Sequence, residues 1–277
     1  WEVAVWGDGE ILYPYVRRPV APGSAIFDVV SPYGYSGVWA AADTHSDSLR
    51  RFRAAFRLAM CDRGCVAEFL RLGGMVPGTK ALLECSPELE VRAHVDTIGV
   101  DLSAGYDAAF AAYENRGRRL SRRALSRGYS VSVRPYDAED ARVGSPFRTL
   151  YADTMSRVSA RDWYHFADGA FSAWVDTDSH LVQVQGPQGD LAASMLVLVG
   201  VDLVHAHLGG TAPWAQRDGA GSLLYDAMVR FGVERGGRLL HIGGAHAEGD
   251  GLHLFKRTFG RVRLPFLTAS SVLLPQR

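Results

Sequence analysis

The segment VDLVHAHLGGTAPWAQRDGAGSLLYDAMVRFGVERGGRLLHIGG, residues 201–244, indicates the fold of the C-terminal half of this 277-residue chain. Residues 203–211 (LVHAHLGGT) predict a strand with alternating sides. Apolar residues then recur at helical spacing over 220–231, and a Gly-Gly pair follows, which predicts a helix that ends there. Residues 238–245 (RLLHIGGA) predict a second strand. This order of elements indicates an α/β domain with a mixed sheet.

The turn that joins the first strand to the helix is suited to bind an anion. Glycines at a helix entry let backbone N–H groups approach a ligand, and the helix dipole favours negative charge there. No GK[ST] follows, and the glycine spacing is not that of a dinucleotide-binding fold. The alternative is a glycine-rich helix start without a ligand. The candidate phosphate-binding residues are Gln216, Arg217, Gly219, Ala220 and Gly221.

The N-terminal half begins with strands and continues with helices. Residues 1–18 predict a hairpin around Gly-Asp-Gly, and residues 46–60 predict an amphipathic helix. Residues 91–102 predict a pair of strands, and residues 105–129 a helix with a break at Gly117. A weak linker signal near Arg134-Pro135 leads us to expect two domains, 1–134 and 135–277.

Composition and charge narrow the class of protein. Hydrophobic residues make up 47% of the chain and charged residues 22%, with a net charge of +0, which is typical of a globular protein that does not coat nucleic acid indiscriminately. The cysteines Cys61, Cys65 and Cys85 are too few for a disulfide framework. The longest apolar run, 191–201, is too short to span a bilayer. We expect a soluble cytoplasmic protein with no membrane insertion.

One predicted helix is strongly basic. Arg116, Arg119, Arg123 and Arg127 share a face, with Glu114 as the one acidic neighbour. Such a face is either solvated or a groove for a phosphorylated partner, because arginine matches phosphate geometry.

The loop SPYGYSG (31–37) offers tyrosine hydroxyls and flat rings. Gly34 and Gly37 permit unusual backbone angles beside Tyr33 and Tyr35. The loop is either packed by its tyrosines or part of a binding surface.

Lysine is rare in this chain: Lys80 and Lys256 are the two among 30 basic residues. Lys256 lies in HLFKRTFG (253–260). An ammonium is a compact charge on a flexible stem, suited to one small developing charge. The preceding stretch contains His241, His246, Glu248 and Asp250, but HAEGDGLH (246–253) is a flexible loop pattern that argues against a metal site, and none is predicted.

These motifs together resemble those of the FemABX-like, or Fem-type, family, which is built from twin domains of the GNAT acyltransferase superfold. SPYGYSG, the RRLSRRA helix, the QRDGAG turn, HIGGA and FKRTFG follow in the same order, from about residue 10 to 266. The resemblance implies an α/β fold of two GNAT-like domains, each with a mixed, mostly antiparallel twisted sheet flanked by helices.

The resemblance also implies an activity. Fem-type enzymes transfer an aminoacyl group from aminoacyl-tRNA, as co-substrate and without a further cofactor, to an amine. The acceptors are small peptides or nucleotide-linked peptides in cell-wall or antibiotic biosynthesis. In the family, the lysine of the FK..FG motif meets the aminoacyl-tRNA end and the reacting carbonyl, which here is Lys256 with Phe255 beside it. This chain is shorter than the cell-wall enzymes and lacks a coiled-coil arm, so the acceptor class stays open.

The other expected roles combine this resemblance with the chemistry of the residues. His205 and His207 are candidate bases, since histidine titrates near neutral pH. The Gly219–Gly221 turn would receive a donor phosphate, while Tyr33, Tyr35, Arg116, Arg119 and Arg123 would contact the acceptor or tRNA. An acyl-CoA-dependent N-acyltransferase and a non-catalytic binding protein on the same fold are the alternatives.

Overall fold

The computed structural model describes residues 1–41 and 44–273, and the chain divides into two compact units. Unit 1 consists of residues 1–96 together with the C-terminal segment from 264, and unit 2 consists of residues 97–263. None of the helices described is both long enough and apolar enough to cross a bilayer.

Unit 1 is a seven-stranded sheet with two helices. Its strands are β1 (Glu2–Trp6), β2 (Ile11–Pro19), β3 (Phe27–Val30), β4 (Trp39–Ala40), β5 (Cys65–Gly73), β6 (Glu90–Ala93) and β14 (Phe266–Val272), and its helices are α1 (Ser46–Asp62) and α2 (Thr79–Glu84). The strand order is β1-β2-β3-β5-β14-β6, and β4 pairs with β2. β3 and β5 pair directly and run parallel, with α1 between them in sequence, and the other pairs are antiparallel.

A buried ion pair lies inside unit 1. The core face of α1 carries Arg53 among apolar residues, and its guanidinium makes a bidentate contact with Glu68 on β5, with Nη1 to Oε1 at 2.7 Å. Tyr13 donates its hydroxyl to the same carboxylate at 2.5 Å. The Arg53 and Glu68 side chains are 3% and 0% exposed, and Arg53 Nε also donates to Oε1 of the partly exposed Glu88 at 3.0 Å. Glu68 therefore depends on Arg53 for compensation of its charge, and Glu68 is the buried carboxylate of the two that pair with Arg53.

Unit 2 is a second seven-stranded sheet with helices on both faces. Its strands are β7 (Thr97–Asp101), β8 (Ser130–Pro135), β9 (Ser179–Gln185), β10 (Leu191–Val199), β11 (Leu203–Thr211), β12 (Leu239–His241) and β13 (Val262–Leu264). Its helices are α3 (Tyr106–Ala112), α4 (Asn115–Ser126), α5 (Ala138–Ala141), α6 (Pro146–Arg157), α7 (Asp168–Ser172), α8 (Pro213–Gln216), α9 (Ala220–Glu234) and α10 (Gly251–Arg257). The order is β13-β7-β12-β11-β10-β9-β8.

The two units share one topological motif. In unit 2, β11 and β12 are parallel and α9 connects them, just as α1 connects β3 and β5 in unit 1. A parallel pair requires such a crossover, and a helix supplies it. The strand–turn–helix–strand order predicted from residues 201–244 is therefore confirmed, as is the fold class of two mostly antiparallel sheets flanked by helices.

The division of the chain differs from the expected boundary between residues 134 and 135, which falls inside β8. The contacts divide the chain at Asp96/Thr97 instead, and the C-terminal strand β14 returns to unit 1. The two strands predicted over 91–102 exist, but they belong to different sheets: β6 pairs with β14, and β7 pairs with β12. β6 and β7 are consecutive in sequence but do not form a hairpin with each other.

The buried pair in unit 1 makes a stability prediction. Glu68→Ala removes the bidentate buried partner of Arg53 and leaves its guanidinium with Glu88 alone, so we expect the free energy of unfolding to fall by about 3 kcal/mol, the lower end for a broken buried pair. Glu84→Ala is the matched control, because Glu84 is 65% exposed and meets exposed Lys80 at 3.8 Å. Denaturant unfolding checks both variants, and equal small losses would contradict the account.

Candidate functional site

The sheet of unit 2 opens between β11 and β12. The strands are paired from Leu203↔Leu239 as far as His205↔His241, where β12 ends. Just after β12, the chain still bonds to β7, with Ile242 N–H donating to the carbonyl oxygen of Ile98 at 2.9 Å. β11 continues to Thr211 paired with β10. His205 and His241 therefore stand at the point where the two parallel strands separate.

Three histidines cluster at this opening. His205 Nδ1 lies 2.8 Å from Nδ1 of His241, and His205 Nε2 lies 3.4 Å from Nδ1 of His207. The register between β10 and β11 shifts beside His207, since Leu196 faces Leu208 while Val197 faces Ala206. The rings of His207 and Trp174 pack edge to face, with 4.8 Å between their centroids.

Burial keeps these histidines neutral. It lowers the pKa of His207 to about 4 and that of His241 to about 3, and the nearby Lys256 charge lowers the pKa of His241 further. Burial and the neighbouring histidines hold the pKa of His205 well below its ordinary value. Two neutral rings with Nδ1 atoms at 2.8 Å share one proton, so one ring donates and the other accepts.

Lys256 is buried, in contrast to the other lysine. Lys256 as a whole residue is 8% exposed, whereas the side chain of Lys80 is 89% exposed. The ammonium donates to the carbonyl oxygen of Gly244 at 2.6 Å. Burial lowers the pKa of Lys256 to about 8, and the charge of Asp250 partly opposes this shift. Lys256 is thus a desolvated cation whose charge acts on His241.

The loop before α10 is fixed by its cap. Asp250 accepts from the backbone N–H of His253 at 2.7 Å, and from those of His246 and Ala247 at 3.0 and 2.9 Å. Buried His253 accepts from Gly249 N–H through Nδ1 at 2.8 Å. These bonds hold the turn that precedes Lys256, so the position of its stem is set by the loop and by the helix together.

Phe255 lies between Lys256 and the candidate phosphate-binding turn. Its ring meets Tyr225 and Phe259 edge-on at centroid distances of 5.0 and 5.4 Å. A Cβ placed on Gly221 would lie 3.7 Å from the Phe255 ring and 3.3 Å from Oγ1 of Thr211. The second glycine of the turn therefore packs between the aromatic residue of α10 and the end of β11.

The turn packs against the basic helix α4. Gly219 has φ +94°, and a Cβ there would lie 2.4 Å from the carbonyl oxygen of Leu120, so only glycine fits. The Ser121 hydroxyl donates to the Ser222 carbonyl at 3.0 Å. Asp218 ion-pairs with Arg127 and accepts from the Tyr129 hydroxyl at 3.1 Å. Two motifs that are far apart in sequence form one surface.

The arginines of α4 have different environments. Arg116 and Arg119 are exposed, and Arg123 is 4.0 Å from Asp218. Arg118 is held within the unit, since it donates to the carbonyl of Ala111 at 2.6 Å and to that of Tyr113. The break in the predicted helix is at 113–114, not at Gly117, and a Cβ on Gly117 would lie 2.7 Å from Thr258. That glycine allows α4 to pack closely against the end of α10.

The remaining predicted residues lie as follows. In the turn, Gln216 and Arg217 are exposed and Ala220 is buried. Tyr33 and Tyr35 belong to unit 1, where Tyr33 is 49% exposed and Tyr35 meets Phe266 edge-on at 5.3 Å. Within residues 1–41 and 44–273, no group of three or more His, Cys, Asp or Glu side chains is arranged to hold a metal ion.

Comparison with solved structures shows that this chain has the same fold as FemX and two other proteins. The match to FemX covers 98% of this chain and 88% of FemX, with a TM-score of 0.70 and 13% sequence identity. The match to L-PGS from Bacillus licheniformis covers 97% of this chain and 83% of that chain, with a TM-score of 0.64 and 14% sequence identity. The match to the C-terminal domain of a protein described as a lysylphosphatidylglycerol synthetase from Agrobacterium fabrum covers 97% of this chain and 83% of that domain, with a TM-score of 0.64 and 13% sequence identity.

The sequence itself matches no protein-family profile and no curated protein. At 13–14% identity the structural likeness establishes the fold, so the resemblance expected from the motifs is confirmed at that level.

Sequence reasoning missed three parts of this surface. His241 was considered as a metal ligand, although its partner is His205 on the neighbouring strand. The parallel register that pairs HIGGA with LVHAHLGGT could have suggested this contact. No role was predicted for Asp218, although it ion-pairs with Arg127 at the C-terminal end of α4. Trp214, just before the turn, was not singled out.

Buried Lys256 makes a prediction about stability and pH. Its pKa of about 8 lies below the ordinary 10.5, so between these values the unfolded chain holds more protons and stability rises with pH. Lys256→Met removes the buried charge, so we expect it to be more stable than the wild type at pH 7, by up to about 3 kcal/mol, with the gap closing near pH 10.

Thermal and denaturant unfolding at both pH values measure this gap. Lys80→Met is the control, and its stability relative to the wild type should not depend on pH because Lys80 is exposed. A gap for Lys256→Met that is the same at pH 7 and pH 10 would show that the pKa of Lys256 is not depressed.

Proposed function

We propose that this protein transfers an aminoacyl group from aminoacyl-tRNA to an amine of a small peptide or nucleotide-linked peptide, and so forms a peptide bond. The observation that carries the proposal is the buried Lys256 ammonium beside neutral histidines where β11 and β12 separate. Such a cation is placed in a low-dielectric environment, where it acts strongly on a nearby developing charge. The Fem-type fold supports the same activity.

Lys256 is proposed to stabilise the tetrahedral intermediate. The acceptor nitrogen attacks the ester carbon, the carbonyl oxygen becomes an oxyanion, and the carbon–oxygen bond to the ribose then breaks. An ammonium at the oxyanion contributes about 10²- to 10³-fold in rate. With a pKa of about 8, Lys256 is mostly charged at pH 7. Arginine would keep the charge, but its larger, planar guanidinium does not replace a compact buried ammonium that donates to the Gly244 carbonyl.

The histidine cluster is proposed to manage the proton that the acceptor amine loses. His205 is neutral and bonds on one side to His241 and on the other to His207. A neutral imidazole accepts a proton at one nitrogen and releases one at the other. The low pKa of the cluster makes it a transient carrier, and the proton ends on the departing ribose oxygen.

The donor is proposed to lie along the basic helix and the turn. Arg116 and Arg119 present guanidinium groups to solvent on α4, and the turn at Gly219 packs against that same helix. Successive phosphates of an RNA end would meet first the arginines and then the backbone N–H groups of the turn. A cytoplasmic setting, where aminoacyl-tRNA is present, goes with this donor.

Two other functions use the same features. The turn also suits the pyrophosphate of an acyl-CoA, which would make the protein an N-acyltransferase. A non-catalytic binder would keep the fold without transfer. For the acceptor, the proposal is a cell-wall precursor or a peptide or nucleoside antibiotic intermediate, and Tyr33 and Tyr35 in unit 1 are proposed to contact it.

Donor dependence is the first prediction. Incubation with radiolabelled aminoacyl-tRNA and a panel of peptide amines should give labelled peptide, and RNase treatment of the donor should abolish the product. Reversal of Arg116 and Arg119 to Glu should weaken transfer most at low salt, because phosphate contacts are screened as salt rises. RNase-resistant transfer that requires acyl-CoA would instead establish the alternative enzyme, and binding without transfer would establish the binder.

The charge of Lys256 is the second prediction. Lys256→Met should lower kcat by about 10²- to 10³-fold, and Lys256→Arg should restore little of it. The ratio of the wild-type rate to the Met rate should fall as the pH rises through about 8, because the wild type loses its ammonium there. The ratio cancels the gain in reactivity of the acceptor amine. Lys80→Met controls for the loss of a lysine, and equal turnover of the Lys and Arg proteins would refute the role.

A further inference from the structure

Beside the phosphate-binding turn, unit 2 contains a cavity of about 550 Å³ that none of the proposed roles uses. It lies between α6, the ends of β10 and β11, and α8. Its volume is in the range of small-molecule sites, about 300–1,000 Å³. Its walls combine an aromatic ring, apolar side chains and a charged rim, and they are formed in part by Leu150, Asp153, Thr154, Arg157, Leu191 and Trp214.

Trp214 supplies a flat surface that is held from behind. Its indole stacks on Tyr129 with 6.3 Å between centroids and 26° between planes. A Cβ on Gly186 would lie 2.8 Å from the indole, so that glycine lets the ring seat against the backbone. The residue is nevertheless 52% exposed. A large aromatic ring that is fixed in place and half open to a cavity is suited to stack on a planar ligand.

The rim carries charges that no ion pair among the described residues neutralises. Arg157 donates Nη2 to the carbonyl oxygen of Thr211 at 3.1 Å and more weakly to Oγ1 of Thr154 at 3.4 Å, which orients its guanidinium while other N–H groups remain. Asp153, one turn earlier on α6, lines the same cavity. A guanidinium binds phosphate, and a carboxylate accepts from ribose hydroxyls or an exocyclic amine.

Thr211 links the cavity to the turn. It lines the cavity, and its Oγ1 would lie 3.3 Å from a Cβ on Gly221. A ligand that stacks on Trp214 would therefore lie next to the backbone that is proposed to bind phosphate.

We propose that this cavity is a nucleotide site, in which an adenosine phosphate stacks its base on Trp214 and meets Arg157 with its phosphate. The inference rests on the proposed function only for the source of the nucleotide, which is the 3′ end of the donor RNA. CoA carries the same adenosine phosphate chemistry, and it is the other source.

Calorimetric titration of the whole chain with AMP, without any transfer reaction, tests the site. AMP should bind, and Trp214→Ala should weaken it about 5- to 150-fold, as expected for loss of one base–aromatic stack. Trp214→Phe should retain most of the affinity. Arg157→Gln should weaken AMP more than adenosine, which lacks the phosphate. Trp163→Ala is the matched control, since Trp163 is 55% exposed but does not line the cavity.

Two results would overturn the site. One is that AMP does not bind to the wild type. The other is that AMP binds with the same affinity to the wild type and to the Trp214→Ala, Trp214→Phe and Arg157→Gln variants. Competition then assigns the source: displacement of AMP by an RNA oligonucleotide ending in CCA supports the donor RNA, and displacement by CoA alone supports a nucleotide site for CoA. Displacement by neither overturns the assignment to a donor. If the protein binds AMP but shows no tRNA-dependent transfer, the nucleotide site stands and the proposed function fails.

Discussion

A single hydrogen bond, from the Lys256 ammonium to the Gly244 carbonyl at 2.6 Å, fixes the character of the site in unit 2. It holds a positive charge in a place where burial lowers the pKa of Lys256 to about 8 and keeps neighbouring His241 neutral. Burial of a charge without an ion-pair partner reduces stability, and strongly shifted pKa values cluster at functional sites. The remaining contacts, including the Asp250 cap of α10, serve to keep this ammonium in position.

The two halves of the site depend on glycine. Gly219 and Gly221 let the turn pack against α4 on one side and against Phe255 on the other, so that the basic helix, the turn and the lysine helix form a continuous arrangement. The parallel strands β11 and β12 separate after His205, which places the histidines at the end of the shared ladder. Topology, rather than any one residue, thus brings the candidate anion site and the candidate charge-stabilising group into one unit.

Local signals predicted much of this fold. Periodicity over 203–211 and 220–231 located β11 and α9, and rarity in a lysine-poor sequence singled out Lys256. Long-range contacts could not be predicted in the same way. The return of β14 to unit 1 and the assignment of β6 and β7 to different sheets depend on pairing across the whole chain, which is why the expected boundary at 134/135 differs from the division at 96/97. The His205–His241 contact likewise follows from register between strands.

The most direct test of the central claim is a crystal structure of the protein with a stable, amide-linked aminoacyl-adenosine, in which the ester oxygen is replaced by nitrogen. The account predicts that the carbonyl oxygen of the bound aminoacyl group lies within hydrogen-bond distance of Lys256 Nζ, about 2.7–3.2 Å. A well-ordered ligand whose carbonyl lies far from Lys256, with the ammonium still bonded to Gly244 alone, would contradict it.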